Sequence, residues 1–419
     1  MRKLPLVSRT SASAEWPTTA VTNEALSDAQ WHPLPFTEFV VKVHSRCNLA
    51  CDYCYVYEMS DSTWKTQEKT MSRATVDQAA TRIAEHVRAH RGEIPEVKVV
   101  LHGGEPLLAG TELIEYMVTK FRNEVPADVG IDFRITTNGT LLDRANLEML
   151  RLSDIKVYVS LDGSQQDNDR HRKYADGRGS FSAVVRGINA LREPSYAELF
   201  AGMLCTVNVE NDPVETYETL VSFGSPMIDF LLPHGNWTQP PPHWGGSSRG
   251  ETPYADWLIP IFDRWYGASS KPTSVRFFDE ILALILGGHS RLETVGLAPN
   301  RTVIIDTSGS IDLDHQLKSV HSGAHLTGSH IERDPFDSLI LHPGVVARQR
   351  GVAALCEACL RCPIRDVCGG GQYVHRYKKG TGYLNPSAYC ADLTRLITHV
   401  HERVLADLSS ALRQEAGSV

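Results

Sequence analysis

Three cysteines stand close together after an apolar run of the chain. They are Cys47, Cys51 and Cys54, in the sequence CNLACDYC. Thiolates hold iron–sulfur cubes, usually four of them to a cube. Because the nearest further cysteine is Cys205, a cube in this loop would keep one iron free of protein ligands, and that iron can bind a molecule that is to react. Structural zinc takes four ligands in two pairs, and disulfides suit secreted proteins, so the spacing favours an iron–sulfur cluster with an open position.

A second group of cysteines lies in the C-terminal part of the chain. Its members are Cys359, Cys362, Cys368 and Cys390. Four thiolates complete an iron cube that leaves no iron open, and such a cube moves electrons or shapes a pocket. The same four thiolates fit a tetrahedral zinc site, so the residues alone leave both possibilities open. Cys356 is an extra thiol that replaces a ligand, stays spare or packs, and Cys205, inside an apolar run, is predicted to be buried.

Composition restricts the class of protein. The chain has 419 residues, enough for two or three domains, and 42% of them are hydrophobic, so a large core is expected. The formal net charge is −8 and Lys and Arg form no dense run, which argues against nucleic acid as a partner. No apolar stretch approaches a membrane span or a signal region, so we expect a cytoplasmic protein without a membrane partner. Eight of the nine cysteines fall in two groups, which favours metal binding in a reducing compartment.

Strands and helices alternate from residue 36 onward. Strands are predicted at 36–44, 97–102, 131–136, 156–161, 200–209 and 227–232, and a hairpin around Ser308-Gly309. Helices are predicted from the candidate N-cap Ser72 and near 111–123, 143–151, 180–192, 213–223, 253–266, 275–286 and 387–413. Six strand–helix repeats indicate an α/β fold with a parallel sheet. Periodicity alone does not separate a partial barrel from a full barrel or an open doubly wound sheet.

These elements suggest five parts of the chain. They are a loosely ordered lead-in (1–34), the α/β part (35–250), a helical bridge (251–300), a cysteine-rich domain (301–395) and a C-terminal helix (396–419). The α/β part ends in a loop rich in Pro, Gly, Trp and His at 233–250. His234 and Asn236 in this loop are in a position to touch a substrate, although ordinary loop polarity explains them more simply.

Polar residues follow the predicted strands at their C-terminal ends, where α/β barrels carry out chemistry. They are Gly103, Gly104, Glu105, Asn138, Ser160, Asp162 and Arg172. The glycines let backbone approach a ligand closely, and Glu105 can accept a hydrogen bond from an ammonium group. Arg172 can bind a carboxylate through two hydrogen bonds, but without the other motifs an exposed loop arginine in a basic patch is the favoured explanation. A tight Asn-Gly turn likewise suffices for Asn138.

Together these motifs resemble the radical S-adenosylmethionine (SAM) superfamily over roughly residues 36–395. The resemblance implies a partial (β/α)6 TIM-like barrel, in which Cys47, Cys51 and Cys54 hold a [4Fe–4S] cluster whose open iron binds SAM. It further implies that reduction splits SAM into methionine and a 5′-deoxyadenosyl radical. The implied SAM contacts are Tyr53, Gly103, Gly104, Glu105, Asn138, Ser160, Asp162 and Arg172.

The C-terminal group resembles the SPASM extension of that superfamily. By this resemblance Cys359, Cys362, Cys368 and Cys390 hold one auxiliary [4Fe–4S] cluster. Gln372 stands where the SPASM pattern has a further cysteine, and the predicted hairpin has none, so an inner auxiliary cluster is expected to be absent.

Within the SPASM branch the chain most resembles the FxsB-type maturases. The residues that carry this likeness are the runs LPFTEFVVKVHSRCNLACDYCYVYE, HGGEPLLAG and CGGGxYxHRY. The resemblance implies an enzyme that joins an aromatic side chain to the β-carbon of a nearby residue in a ribosomally synthesised precursor peptide, forming a cyclophane, with ferredoxin or flavodoxin as electron donor. The candidates for the proton acceptor are Asp306, Asp312, Asp314 and His315, for which the polarity of a surface hairpin is an equally good explanation.

Three alternatives remain at this stage. One is another radical SAM peptide chemistry, namely thioether formation, epimerisation or sulfatase-type oxidation of Ser or Cys. Another is a non-catalytic iron–sulfur electron carrier, which would bind a cluster and leave SAM intact. The third is a zinc-stabilised interaction module, which iron and sulfide counting would identify.

Overall fold

The computed structural model describes residues 15–244 and 251–416. The strands are β1 (Glu38–His44), β2 (Glu96–Gly103), β3 (Gly130–Thr137), β4 (Ile155–Ser160), β5 (Phe200–Thr206), β6 (Met227–Leu231), β7 (Ser274–Val275), β8 (Thr302–Ile305), β9 (Ser310–Asp312) and β10 (Leu326–His330). The helices are α1 (Thr19–Ser27), α2 (Arg73–Ala89), α3 (Thr111–Glu124), α4 (Arg144–Leu152), α5 (Gln165–His171), α6 (Phe181–Leu191), α7 (Pro213–Ser222), α8 (Pro253–Tyr266), α9 (Arg276–Ile285), α10 (Pro343–Ala347), α11 (Glu357–Leu360), α12 (Arg365–Cys368) and α13 (Cys390–Ala416). Outside the described residues lie 1–14 of the predicted lead-in, 245–250 of the predicted loop and 417–419 of the predicted C-terminal helix.

The strands of the described residues belong to one sheet, in the order β10-β9-β8-β1-β2-β3-β4-β5-β6-β7. Strands β1 to β7 pair in parallel, each with the next, and helices lie in the connections. The predicted α/β fold with a mostly parallel sheet is therefore confirmed, and the sheet is open, with β10 and β7 at its edges. In a parallel sheet the C-terminal ends of the strands meet at one edge, so the polar residues that follow them are brought together.

Helices cover the sheet, and its strands therefore read as nearly continuous apolar runs. In β1, Phe39 and Val41 are fully buried. Helix α2 begins after Ser72, whose hydroxyl accepts a hydrogen bond from the Thr75 backbone N–H at 3.0 Å, as the N-cap prediction required. The same helix buries its predicted apolar face, including Ile83, against the sheet. The strands thereby hold the loops at their C-terminal ends on a rigid base.

The predicted hairpin joins the main sheet. Strand β8 pairs in parallel with β1, so that Val40 lies beside Ile304, and β9 pairs with β8 in antiparallel fashion. The segment that opens the predicted cysteine-rich domain is thus an extension of the α/β sheet. The sequence did not predict this pairing, because β1 has two hydrogen-bonding edges and the composition of the hairpin does not reveal that it completes one of them.

The lead-in contains a helix that the sequence reading missed. Helix α1 is capped by Thr18 and buries Val21 and Ala25 against Val346 of α10. Only two apolar positions carry this packing, too few for a recognisable period. At the C-terminal end, the helix predicted over 387–413 is present as the single helix α13, Cys390–Ala416. None of the described helices is both long enough and apolar enough to cross a membrane.

Candidate active site

The N-terminal cysteine loop leaves the C-terminal end of β1. Its three thiols belong to half-buried residues, and the loop is closed by backbone hydrogen bonds from Cys54 N to Cys51 O at 3.1 Å and from Ala50 N to Lys173 O at 2.7 Å. The Cys47 sulfur also accepts from the backbone N–H of Leu49 at 3.4 Å. Burial raises the pKa of Cys47 to about 12 and that of Cys54 to about 11, so a bound cation must displace their protons.

The spacing of the thiols separates an iron–sulfur cube from a single zinc ion. Four sulfurs bound tetrahedrally to zinc at about 2.3 Å lie roughly 3.8 Å from one another. Among the described residues, the one group of three or more His, Cys, Asp or Glu side chains with ligand atoms within 4.8 Å of one another contains no cysteine. In the described residues, therefore, no three thiols of either cysteine group all lie within 4.8 Å of one another, whereas one zinc ion would need them closer; a larger inorganic core accommodates the wider spacing.

The second edge of the site is the turn after β2. Here Gly103 has φ +149°, and a Cβ on it would lie 2.0 Å from the His44 carbonyl oxygen, while one on Gly104 would lie 2.4 Å from that of Arg46. Only glycine lets this turn pass so close to the cysteine loop. Both glycines thus have a packing role next to the predicted ligand contact.

Glu105 is fully buried, and its carboxylate accepts hydrogen bonds from Thr137 Oγ1 at 2.7 Å, Asn138 N at 2.8 Å and Leu107 N at 3.1 Å. Burial raises its pKa to about 7, against the opposing effect of these hydrogen bonds. A carboxylate has about four acceptor positions, so one remains for an ammonium group. Glu105 therefore both positions the Asn138 turn and offers negative charge.

Asn138 connects that turn to the first cysteine. Its side-chain amide donates to Asn48 Oδ1 at 2.8 Å and lies 3.6 Å from the Cys47 sulfur. The tight turn proposed as its simple explanation is present, but the amide also orients the cysteine loop. Ser160, at the end of β4, is half-buried at the same edge of the sheet.

Tyr53, Asp162 and Arg172 form one buried group. The Tyr53 hydroxyl donates to Asp162, and the Arg172 guanidinium donates to the Tyr53 oxygen at 2.7 Å, with Asp162 3.9 Å away. Arg172 is 8% exposed, so it is no surface loop arginine. Its Nε has no hydrogen-bond partner among the described residues. A buried, unpaired guanidinium N–H beside three thiols suits an incoming carboxylate.

Two of the four candidates for the proton acceptor are already paired. Lys42 Nζ lies 2.8 Å from Asp306, and Arg348 lies 2.6 Å from Asp314. Although burial alone would raise the pKa of each carboxyl, the neighbouring cation keeps both pKa values below the ordinary range. Both aspartates are therefore charged anchors of the β8–β9 hairpin and poor proton acceptors.

Asp312, the third candidate, is fully buried, and burial raises its pKa to about 7. One of its oxygens has no hydrogen-bond partner among the described residues. Of the three aspartates, it is the one with a pKa suited to accepting a proton near neutrality.

His315, the fourth candidate, belongs to a group that we call the histidine cluster: His102, His234, His315 and His375 with Tyr55. His102 stacks on His315 with ring centroids 4.7 Å apart, and His315 stacks on Tyr55 at 5.5 Å. Tyr55 meets His234 edge-on at 4.7 Å, and His234 lies 6.2 Å from His375. Burial lowers the pKa of His102 and of His234 to about 4, so these imidazoles are neutral.

The histidine cluster lies between the two cysteine groups. Tyr55 follows Cys54 directly, and His375 lies 4.7 Å from Tyr389, which precedes Cys390. Each histidine of the cluster keeps one ring nitrogen without a partner in the part of the chain that the structure describes. Sequence reasoning assigned no role to His102, His375 or Tyr55, although all three stand inside motifs already singled out. The signal was their place beside ligand residues.

The C-terminal cysteines form one neighbourhood of five thiols. The neighbouring thiols of Cys356, Cys368 and Cys390 raise the pKa of Cys359. Cys362 likewise contributes to raising the pKa values of Cys368 and Cys390. Cys356 therefore lies among the predicted ligands, and a hydrogen bond from the Cys359 side chain lowers its pKa. The structure brings the four predicted ligands together and leaves the fifth as a competing donor.

Arg376 fixes the loop that follows Cys368. The three glycines 369–371 all have positive φ, between +61° and +81°, and a Cβ on Gly369 would meet the Gly296 carbonyl at 1.6 Å. The Arg376 guanidinium is buried and donates to the carbonyls of all three glycines, at 2.6 to 3.1 Å. Its charge lowers the pKa of Cys368 against the larger effect of burial. Nearby, Gln372 is hydrogen-bonded to Gln316, so an amide pair occupies the position of the missing cysteine.

Comparison with known proteins places these residues in a family context. Residues 41–220 match the family model of the radical SAM superfamily. The match includes Cys47, Cys51, Cys54 and the predicted SAM contacts, and the C-terminal cysteines lie beyond it. A radical SAM domain implies a [4Fe–4S] cluster and SAM as cofactors, and the three-thiol loop with its unpaired guanidinium fits both.

The similar proteins include sulfatase-maturating enzymes. The chain is 30% identical over 200 residues to a serine-type anaerobic sulfatase-maturating enzyme of Klebsiella aerogenes, and this alignment spans about half of each protein, 47%. It is 24% identical over 323 residues to the serine-type enzyme of Bacteroides thetaiotaomicron, covering 71% of this chain and 75% of that relative. The structure of anSMEcpe with bound AdoMet and Cp18Cys peptide matches with a TM-score of 0.72 and 20% identity, over 89% of this chain and 99% of that one. At that identity the structural likeness establishes the shared fold, including the C-terminal part.

Proposed function

We propose that this chain, whose residues 41–220 match the radical SAM family model, is a radical SAM oxidoreductase that oxidises a peptide substrate by two electrons. The favoured product is a cyclophane, a C–C bond between an aromatic side chain and the β-carbon of a nearby residue. The single observation that carries the enzymatic part is the cradle of three separated thiols beside the unpaired Nε of Arg172.

The residues of the cradle have distinct tasks. Cys47, Cys51 and Cys54 would hold one cluster and the C-terminal cysteines another; when bound, these groups and SAM supply a carbon radical that removes hydrogen and a site that accepts an electron. Arg172 would bind the carboxylate of SAM, and Glu105 its ammonium group. Tyr53 keeps the guanidinium oriented through the 2.7 Å hydrogen bond to its oxygen.

The histidine cluster supports a crosslink to an aromatic ring. Stacked imidazoles offer flat faces on which a substrate ring can lie in an offset arrangement, worth about 0.5–1.5 kcal/mol per pair beyond buried area. Closing the ring and restoring its aromaticity releases one proton, and Asp312, whose pKa burial raises to about 7, is the acceptor suited to it near neutrality. His315 and His234 are the members nearest to Tyr55 and thus to the cysteine loop. The initial electron would come from a small carrier such as ferredoxin or flavodoxin.

A second candidate function is oxidation of a Ser or Cys side chain to an aldehyde. The observation that favours it is the similarity to serine-type anaerobic sulfatase-maturating enzymes. Both reactions are two-electron oxidations of the peptide. Oxidation of Ser to the aldehyde removes two hydrogens, as the crosslink does, whereas oxidation of Cys is followed by hydrolysis that replaces sulfur by oxygen and releases hydrogen sulfide. Thioether formation also removes two hydrogens, whereas epimerisation leaves the mass unchanged.

The experiment that tests the proposal uses anaerobically reconstituted protein, a chemical reductant, SAM and a short peptide with aromatic residues near its end. The expected result is SAM cleavage together with a peptide lighter by two hydrogens, whose tandem mass spectrum lacks fragments inside the ring. A product that reacts with a hydrazine probe would instead establish the aldehyde. Intact SAM with a fully assembled cluster would overturn the enzymatic proposal, and Cys51→Ala is the matched control for cleavage by the reductant alone.

A further inference from the structure

A second place where side chains could hold a metal ion lies on the outer, helical side of the sheet, at the opposite end of β1 from the first cysteine group. His86 is in the last turn of α2, and His90 is the residue that caps this helix. Asp337 belongs to the 3₁₀ helix Phe336–Leu339. These three are the one group in the described residues whose His, Cys, Asp or Glu ligand atoms all lie within 4.8 Å of one another.

The local structure holds the three side chains in this arrangement. Residues four apart at a helix end project from the same face, so the two imidazoles adjoin, with ring centroids 4.7 Å apart. Phe336 is fully buried and packs on Phe39 of β1 at 5.1 Å between ring centroids. This packing fixes the segment that carries Asp337 against α2.

The three ligand atoms converge on one point. Asp337 Oδ1 lies 2.5 Å from His86 Nδ1 and 3.0 Å from His90 Nε2. One carboxylate oxygen thus faces both imidazoles. Two histidine nitrogens and one carboxylate oxygen are a common donor set for zinc and similar divalent ions.

The other nitrogen of each ring is also directed, and this distinguishes the group from a simple ion pair. His86 Nε2 lies 3.2 Å from the Phe36 carbonyl oxygen, and His90 Nδ1 lies 3.6 Å from a Glu93 carboxylate oxygen. Histidines that bind metals characteristically donate their second N–H to a carbonyl or carboxylate, which fixes the tautomer and the ring orientation. His86 meets this condition, and His90 has a carboxylate near its second nitrogen; in both rings the ligating nitrogen is turned toward Asp337.

We propose that His86 Nδ1, His90 Nε2 and Asp337 Oδ1 bind a divalent transition-metal ion of the zinc type, with water completing the coordination. Zinc–nitrogen and zinc–oxygen bonds of about 2.0–2.2 Å set ligand atoms roughly 3.3 Å apart, so Asp337 has to withdraw by about 1 Å. The Asp337 side chain is 38% exposed and free to do so, whereas His86 is 1% exposed and fixed. The same exposure gives the ion an entry route.

The ion would connect α2 to the chain segment that leads from the hairpin to the C-terminal cysteines. It lies far from the first cysteine loop along the sheet, because Phe36 precedes β1 and Cys47 follows it. Occupancy of this site is therefore separable from the iron content of the protein.

The test measures zinc and iron in the same samples by mass spectrometry of the metals. Anaerobically reconstituted protein is incubated with excess zinc and passed over a desalting column. The parent should retain about one zinc per chain more than His90→Ala or Asp337→Ala, with equal iron in all three. His399→Ala is the matched control, because His399 forms a two-membered pair with Asp263 at 2.9 Å, and it should retain the parent amount.

X-ray absorption at the zinc edge adds a readout that does not depend on the variants. Imidazole and oxygen scattering at 2.0–2.2 Å supports the site, and sulfur scattering at about 2.3 Å would assign the zinc to cysteines and overturn the proposal. Equal zinc in the parent and in both ligand variants would overturn it as well, and would leave the three residues as a hydrogen-bonded triad. Unchanged iron content shows in each case that the variants have folded.

Discussion

The two cysteine groups differ most in the arginine that stands beside each. At the N-terminal loop, Arg172 donates to Tyr53 and keeps its Nε unpaired in the described structure. At the C-terminal group, Arg376 donates hydrogen bonds to the carbonyls of Gly369, Gly370 and Gly371. The guanidinium of Arg172 thus keeps a donor with which it can bind a ligand. The guanidinium of Arg376 instead uses its hydrogen bonds to fix the loop that follows Cys368.

The number of thiols differs in the same sense. Three thiols surround the first site, and five lie together at the second, where Cys356 exceeds what a cube requires. A cluster with three protein thiolates has one iron that can bind a reactant, whereas four or more thiolates can ligate every iron of the cluster. Under the proposed function the two cysteine groups therefore have different tasks, and the histidine cluster that runs from Tyr55 to His375 lies between them.

The most severe test of this contrast removes the first site completely. Replacing Cys47, Cys51 and Cys54 together by Ala should abolish SAM cleavage and lower the iron content from about eight to about four atoms per chain, because the second group holds its own cube. SAM cleavage is followed by chromatography of the products and iron by elemental analysis. Persistent cleavage, or loss of all iron, would show that the two sites are not independent.

The next test separates the ligand from the surplus thiol in the second group. Cys390→Ala should lose peptide product while SAM cleavage continues, because the electron released late in the reaction has no acceptor. Cys356→Ala, the matched control within the same group, should retain product and the full iron content. Both are measured by peptide mass and iron analysis. The reverse pattern would assign Cys356 as the ligand and Cys390 as the spare.

A smaller effect is expected from changing the free guanidinium alone. Arg172→Lys keeps the positive charge but loses the planar fork, so SAM should bind roughly tenfold more weakly or worse, with unchanged iron. Equilibrium dialysis with labelled SAM measures the affinity. Arg170→Lys is the control, because Arg170 donates to Asn211 and lies outside the cradle. Equal SAM affinity in both variants would refute the carboxylate contact.

The parts of this architecture that could be predicted from the sequence are those carried by short patterns. The strand alternation, the Ser72 cap and the cysteine spacings each lie within a few residues, and local physics decides them. The ligand role of the cysteines stays a prediction, but their grouping in space agrees with it. The lead-in helix escaped notice because two buried residues, Val21 and Ala25, make too weak a pattern.

The contacts that could not be predicted join distant parts of the chain. Lys42 and Asp306 are 264 positions apart in the chain. The local sequence around each residue therefore does not predict the ion pair between them. The histidine cluster draws one residue each from five separate segments, so it has no sequence pattern at all. Electrostatic pairing and burial, which decide whether a carboxyl or imidazole can accept a proton, follow only from the folded arrangement.

The smallest expected effect concerns the region between the two sites and appears in the stability of the protein. The pKa of His102 is about 4 in the folded chain and 6.5 without burial. Between those pH values His102 is protonated in the unfolded chain and neutral in the folded chain. The free energy of unfolding therefore falls as the pH drops from 6.5 toward 4, by up to about 3 kcal/mol for this residue. His102→Gln should therefore weaken the pH dependence of the melting temperature between pH 7 and 5, measured anaerobically on reconstituted protein.

His401→Gln, at an exposed position of α13, should leave that dependence unchanged. If His102→Gln also left it unchanged, His102 would have to be protonated or hydrated in the folded state, and the histidine cluster would not be the neutral, desolvated region that its burial indicates between the two cysteine groups.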